Sequence, residues 1–206
     1  MKFGIISDIH ATVAPLRGAL AVFEQQQVDA VLCAGDIAGY GEELEQTVEL
    51  LIENKCQGIT GNHEMWFIET PVPEEQRWVK EFFSDLPSTL AFTVAGQQLY
   101  MVHASPPFSN MKGIKLLDQQ GSMIREQARQ WTDYLEKFNY DILIVGHTHQ
   151  VFAERLGNTL VINPGSTKFN YTCMTLDLPE QEVRTFPVSG KTPQKVWNWG
   201  NLVTSN

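Results

Sequence analysis

Gly61-Asn62-His63-Glu64 is a short polar stretch that directly follows the apolar run Gly58-Ile59-Thr60. Glycine lacks a Cβ and lets the chain turn sharply, so this stretch is typical of a loop that ends a strand. Taken alone, an asparagine after a glycine is an ordinary turn residue. The stretch gains interest because other segments of the chain repeat the same arrangement, an apolar run followed by polar side chains.

Four further segments place Asp or His just after a run that is typical of a strand. They are Ser7-Asp8-Ile9-His10, Gly35-Asp36, Val102-His103 and Gly146-His147-Thr148-His149. All 5 histidines of the chain lie in these segments or in the Gly61 turn. Any one of these residues is more often a turn former, helix cap or core residue than a ligand. Because they all share one position relative to a strand, the sequence predicts a metal site.

The order of the apolar patterns in the first half predicts an α/β fold. Strands are predicted at Lys2–Ile6, Asp29–Ala34 and Gln57–Thr60, with helices around Leu16–Phe23 and at Glu42–Asn54 between them. Continuous apolar strands joined through helices indicate a parallel sheet, with the carboxyl ends of its strands at one edge. We therefore expect the loops that carry Asp8, Asp36 and Asn62 to meet at that edge.

The second half is predicted to contain more antiparallel strands. Hairpins are predicted at Thr89–Val102, Val151–Asn163 and Thr172–Val188, a strand at Asp141–Val145, and helices at Glu74–Asp85 and Met123–Phe138. The segment 104–121 is long for a loop, so we expect it to contact substrate. Residues 1–190 are expected to form one domain, and no structure is assigned to the tail, residues 191–206.

Composition and charge restrict the partners of the protein. The chain has 206 residues, of which 43% are hydrophobic and 19% charged, as in an ordinary globular protein. A net charge of -9 disfavours long nucleic acid. The sequence shows no signal peptide and no apolar run of about 18 residues, and its three widely spaced cysteines fit reduced thiols. We expect a cytoplasmic protein without a membrane partner. The sequence does not determine the oligomeric state, and a homodimer is one of the options.

The residue types of the five segments are those that hydrolytic metal centres use. Divalent cations bind neutral imidazoles and ionised carboxylates, and two cations about 3.5 to 4 Å apart need one ligand that spans both. A carboxylate can do this. Ligands of this kind accept Mn, Fe, Ni, Co or Zn. We expect two divalent ions per chain, with Mn²⁺ as the first choice.

The complete pattern resembles the calcineurin-like metallophosphoesterase superfamily. The resemblance is carried by Asp8-x-His10, Gly35-Asp36, Gly61-Asn62-His63-Glu64, His103 and Gly146-His147-x-His149. Asn163-Pro164-Gly165-Ser166 is also similar to the small bacterial and archaeal phosphodiesterases of that superfamily. The resemblance implies an α/β fold, a four-layer α/β/β/α sandwich of two mixed β-sheets flanked by helices.

The same resemblance implies roles for individual residues. One metal would be held by Asp8, His10, Asp36 and His149. The second would be held by Asp36, Asn62, His103 and His147, so that Asp36 bridges the two ions. His63 would not be a ligand but a catalytic group that stabilises the transition state or protonates the leaving alkoxide, and Asn62 and His63 would contact substrate. Separately from the resemblance, Tyr40 is a candidate for substrate contact. Glu64 is expected either to orient His63 or to lie exposed at the start of a helix.

The implied function is a dinuclear-metal-dependent phosphodiesterase that hydrolyses a small phosphodiester by in-line attack of a metal-bridging hydroxide. The run Gly35–Gly41 lacks the arginine that grips phosphate in the protein phosphatases and dinucleoside tetraphosphate hydrolases of the superfamily, which disfavours phosphoproteins. One alternative is a phosphomonoesterase or nucleotide pyrophosphohydrolase of the same superfamily. An alternative of another class is a non-catalytic interaction scaffold, as found in membrane-coat complexes, but those proteins lack the histidine equivalent to His63.

Overall fold

The computed structural model describes residues 1–197 and contains two five-stranded β-sheets with helices on their outer faces. The strands are β1 Lys2–Ile6, β2 Ala30–Cys33, β3 Gln57–Gly58, β4 Thr89–Val94, β5 Gln97–Val102, β6 Ile142–Ile144, β7 Val151–Leu156, β8 Thr159–Pro164, β9 Thr172–Asp177 and β10 Glu182–Pro187. The helices are α1 Val13–Gln26, α2 Leu44–Glu53, α3 Asn62–Glu69, α4 Arg77–Asp85 and α5 Arg125–Leu135, with a short 3₁₀ turn at Glu74–Gln76 before α4.

Both sheets are mixed. The first has the strand order β10-β9-β1-β2-β3, in which β1, β2 and β3 are parallel, β9 is antiparallel to β1, and β10 is antiparallel to β9. The second has the order β4-β5-β6-β8-β7, in which β5, β6 and β8 are parallel. The predicted α/β/β/α sandwich is therefore confirmed, including the parallel arrangement of the first three strands.

Successive residues of the central strands face two different cores. In β1, Ile5 packs between the two sheets with Leu32 and Ile144, whereas Ile6 packs under the helices with Leu16. All four side chains of β1 from Phe3 to Ile6 are buried, as expected for a strand covered on both faces. A third cluster, which includes Leu143 and Val161, lies between the second sheet and α5. These layers hold the carboxyl ends of both parallel sets of strands rigidly.

Two local predictions differ from the structure. The stretch after Gly61 is not only a turn, because Gly61 is the N-cap of α3 and Asn62 already belongs to the helix. The end of α2 also differs, because the apolar stripe of the helix predicted at Glu42–Asn54 includes Ile52, whereas Ile52 is 49% exposed and Leu50 is buried. Each local pattern is compatible with both outcomes, and tertiary packing decides between them.

The tail has no helix or strand of its own up to residue 197, but it packs along the second sheet. Val151 donates a backbone hydrogen bond to Lys195 at 2.8 Å, and Val196 forms a β-bridge with Gln150. Residues 198–206, the rest of the tail to which we assigned no structure, lie outside the described residues. Within residues 1–197, no helix is both long and apolar enough to span a membrane.

Candidate metal centre

The polar segments identified in the sequence meet at one edge of the sandwich. Asp8 follows β1, Asp36 follows β2, and Asn62 lies just beyond β3, all in the first sheet. His103 follows β5 and the His147–His149 segment follows β6, in the second sheet. Because parallel strands end at a common edge, two sheets that face each other bring five loops together.

A first group of donor atoms contains Asp8, His10 and His149, all of them buried. The Nε2 atom of His149 lies 3.1 Å from Asp8 Oδ1 and 3.1 Å from His10 Nε2. His10 Nε2 is 4.0 Å from the same Asp8 oxygen. Two imidazole nitrogens and a carboxylate oxygen thus face one point.

A second group contains Asp36, His103 and His147. His103 Nε2 lies 3.3 Å from Asp36 Oδ1 and 3.2 Å from Asn62 Oδ1, and His147 Nδ1 lies 2.9 Å from the same Asn62 oxygen. Asp36 also forms a third group with His10 and His63. Asp36 therefore lies beside imidazoles from loops of both sheets, and it is the residue that the resemblance to the superfamily implies as the bridge.

The imidazole rings are oriented by backbone carbonyl groups. Because a carbonyl oxygen only accepts, His10 Nδ1 donates to Ala38 O at 3.0 Å and His103 Nδ1 donates to Ala34 O at 2.7 Å. His147 is held in the opposite sense, with Nε2 donating to Met111 O at 2.9 Å. The remaining nitrogen of each ring faces the donor groups, and such partners fix the tautomer of metal-binding histidines.

The backbone of the site adopts a conformation that side chains usually avoid. Asp8, His10, Asp36, His147 and His149 all have φ between 48° and 66°. For a residue other than glycine, this left-handed region costs on the order of 1–3 kcal/mol, and such residues cluster at functional sites. The surrounding structure must therefore hold these loops in place.

Glu64 is one of the residues that hold them. Its side chain is fully buried and accepts backbone hydrogen bonds from Asp36 at 2.9 Å, Ala38 at 2.7 Å and Gly61 at 2.7 Å. It neither lies exposed nor shows a contact that orients His63, so both expectations for this residue were wrong. Glu64 instead ties the loop that carries Asp36 to the start of α3.

Residues at the end of β8 and just after it hold the loop that carries Asp8 and the loop that carries His147. The Ser166 hydroxyl donates to Asp8 O at 2.5 Å, and Asn163 Nδ2 donates to Gly146 O at 2.9 Å. Asn170 Nδ2 donates to His149 O at 3.0 Å. The Asn163–Ser166 segment could be found by its resemblance to small phosphodiesterases, whereas nothing in the sequence singled out Asn170.

The electrostatics of the site follow from two buried carboxylates among imidazoles. Burial opposes ionisation of Asp8 and Asp36, but His149 beside Asp8 and His103 beside Asp36 outweigh it, so the pKa of each carboxyl lies below its usual value. Burial would lower the pKa of His103, but the Asp36 carboxylate raises it to about 10. Burial lowers the pKa of His10 to about 4, so this ring is neutral near pH 7.

His63 and Tyr40 lie at the open side of the donor groups. The His63 ring centroid is 4.9 Å from that of His10, and its backbone N–H donates to Asp36 Oδ1 at 3.0 Å. Gly39 permits this position, because a Cβ there would lie 2.1 Å from His63 Nδ1. The ring of Tyr40, which is 56% exposed, is 4.7 Å from both His10 and His63. The structure thus brings together every site residue predicted from the sequence.

The donor atoms fit divalent cations. Ligand atoms that bind one ion at about 2.1 Å lie roughly 3.0 to 3.4 Å apart. The separations between neighbouring donors from 2.9 to 3.3 Å match this spacing, and the 4.0 Å separation of Asp8 and His10 exceeds it. The positive charge that Asp36 attracts is carried by a proton on His103, and a cation bound by both residues would replace that proton.

Comparison with known proteins identifies a family. Residues 1–180 match the family described as the calcineurin-like phosphoesterase superfamily domain. An uncharacterized protein of Methanocaldococcus jannaschii, MJ0912, is 25% identical over 179 residues, which cover 78% of this chain and 68% of the relative. A second protein of that organism, named phosphodiesterase MJ0936, is 23% identical over 173 residues, which cover 80% of this chain and 83% of the relative.

A solved structure shares the fold. The crystal structure of the hypothetical protein PH1004 from Pyrococcus horikoshii OT3 has a TM-score of 0.71 and 17% sequence identity. The match covers 91% of this chain and 87% of that chain. The two chains therefore share the fold over most of their length.

Replacing Glu64 with alanine tests its role in holding the loops. In Glu64→Ala, three buried N–H groups lose their acceptor, and each buried unsatisfied group costs about 1–3 kcal/mol. We expect the free energy of unfolding, measured by urea denaturation, to fall by about 3 kcal/mol or more. Glu69→Ala, an exposed position at the other end of the same helix, is the control. Equal stability of the two variants would contradict the role given to Glu64.

Proposed function

The chain belongs to the calcineurin-like phosphoesterase superfamily, and from this membership we propose that it is a dinuclear-metal-dependent phosphodiesterase that hydrolyses a small phosphodiester. The observation that carries the proposal is the position of Asp36, which forms one donor group with His103 and His147 and another with His10, itself a member of the group of Asp8 and His149. A single carboxylate shared in this way is what two adjacent cations require. In the reaction, the oxygen of water forms a new bond to phosphorus, the bond to one ester oxygen breaks, and a phosphomonoester and an alcohol are released.

We assign the ligands of the two cations as the sequence predicted. Asp8, His10, Asp36 and His149 would hold one, and Asp36, Asn62, His103 and His147 would hold the other. When bound, the cations would supply Lewis acidity, lower the pKa of a water molecule and neutralise phosphoryl oxygens. The proposed ligands offer nitrogen and oxygen donors, which suit Mn, Fe, Ni, Co and Zn. Among these metals, Mn²⁺ is our first choice.

We assign to His63 a direct catalytic role in the reaction of the substrate. It is half-buried and lies within the group formed with His10 and Asp36, so a phosphoryl group bound beside Asp36 would be in reach of its ring. An imidazole N–H can donate a hydrogen bond to a phosphoryl oxygen or pass a proton to the departing ester oxygen. Asn62 and Tyr40 border the same space, and we propose that they contact the substrate.

Two observations favour a diester over a monoester. A monoester is a dianion and needs more positive charge around its free oxygens, which superfamily members with an arginine in the loop after the second strand provide. In this chain the same loop, Gly35–Gly41, contains no arginine, and the net charge of the protein is -9. One similar protein, MJ0936, is named a phosphodiesterase.

Replacing His63 separates catalysis from metal binding. With Mn²⁺ and bis(p-nitrophenyl) phosphate, we expect His63→Ala to lose about 10²- to 10⁴-fold in kcat, the usual contribution of a positioned proton donor. Its metal content, measured by elemental analysis, should equal that of the wild type, since His63 is not assigned as a ligand. Glu69→Ala is the control with unchanged activity. A His63→Ala variant with wild-type kcat would remove His63 from the mechanism.

Replacing the two aspartates tests the shared ligand. We expect Asp36→Asn to lose both ions, because a neutral amide bridges two cations poorly, whereas Asp8→Asn should lose about one. The measurement is the metal-to-protein ratio after gel filtration, with circular dichroism to show that both variants are folded. If Asp36→Asn and Asp8→Asn kept the same number of ions, Asp36 would not be a bridge.

A further inference from the structure

A cavity of about 650 Å³ lies beside His147. It lies between the 111–124 segment, the loop after β6 and the docked part of the tail. His147 is part of both the candidate metal centre and the cavity. Its Nδ1 is 2.9 Å from Asn62 Oδ1, and the residue also lines the cavity. The cavity and the candidate metal centre therefore share a side chain, and the cavity lies directly beside the second donor group.

The two long walls of this cavity are apolar and fixed. One is formed by Leu117 and Ile124, and the other by Val196 and Trp197. Val196 is bridged to Gln150, and the Trp197 backbone N–H donates to His149 O at 3.1 Å. The second wall is therefore attached directly to residues of the metal centre.

Polar side chains also line the cavity. Lys115 and Gln119 line the cavity and are exposed. Gln150, at the inner end, is buried and uses its side chain to hold the loop, with Oε1 accepting from Leu116 at 2.8 Å and Leu117 at 3.0 Å. Apolar walls with a few polar groups are typical of pockets that bind planar, hydrogen-bonding ligands.

We propose that this cavity binds the arm of the substrate that is not cleaved, and that this arm is a nucleoside. The inference rests on the proposed function, because the arm is attached to the phosphate that the metal centre hydrolyses. A nucleobase is flat, so both of its faces can lie against apolar walls, and its edge carries carbonyl groups that can accept a hydrogen bond from Lys115. The volume is within the range of small-molecule sites and exceeds that of a methyl or glycerol group.

Other substrate arms fit the walls less well. A small alcohol would leave most of the apolar surface exposed to water. A long acyl chain needs an enclosed apolar channel, whereas this cavity has Lys115, Asp118 and Gln119 along its rim. Asp118 is already occupied, since its Oδ1 accepts from Gln120 and Ser122 at 2.9 Å each.

The kinetic test compares two diesters with the same leaving group. With the Mn²⁺-loaded full chain, kcat/KM for thymidine 5′-(p-nitrophenyl phosphate) should exceed that for methyl p-nitrophenyl phosphate by about tenfold or more. Ile124→Ser and Lys115→Ala should each reduce this ratio severalfold and leave the methyl ester within about twofold. Lys112→Ala is the matched control, because Lys112 belongs to the same loop but lines a different groove. Equal kcat/KM for the two esters, or a ratio unchanged in Ile124→Ser, would overturn the proposal.

A binding test is independent of hydrolysis. The full chain loaded with diamagnetic Zn²⁺ is titrated with thymidine, and the methyl signals of Leu117 and Ile124 are followed by NMR. These signals should shift, while those of Leu20, in helix α1, should not. Absence of a shift at Ile124 with millimolar thymidine would overturn the proposal whatever the kinetics. If neither ester were hydrolysed while Ile124 shifted, the proposed function would fail and the nucleoside site would stand.

Discussion

The structure depends on two carboxylates that are buried at the edge of the sandwich. Asp8 and Asp36 are 0% and 2% exposed, and their side-chain partners are imidazoles from loops of both sheets. Buried negative charge is stable only with compensating positive charge close by. The five loops, their left-handed backbone and the buried Glu64 together create this arrangement, which two divalent cations would neutralise.

Much of the fold and the membership of the site could be predicted from the sequence. Strand β1 has the bounds that its pattern predicts, and β4 and β5 together span the predicted hairpin Thr89–Val102. The polar loops could be located because each follows directly after an apolar run. The exposure of Ile52 and the position of β9 beside β1 could not be predicted. Both depend on contacts between residues that are distant in the sequence, and local periodicity does not report such contacts.

The support of the site was the least predictable part. An acidic residue after His63 is also typical of an exposed helix start, so the sequence alone does not indicate that Glu64 is buried. Only the folded chain shows the three backbone N–H groups that donate to it. The docking of residues 191–197 against His149 and Gln150 left no periodic signal, because single bridges impose no repeat. These contacts make the tail part of the wall of the cavity beside His147, and thereby connect the end of the described chain to the choice of substrate.

The most direct test of the account is anomalous diffraction from crystals of the full chain grown with Mn²⁺. The account predicts two anomalous peaks per chain, one beside Asp8, His10 and His149 and the other beside Asn62, His103 and His147, with Asp36 within coordination distance of both. A single peak, or two peaks of which only one is bound by Asp36, would contradict it.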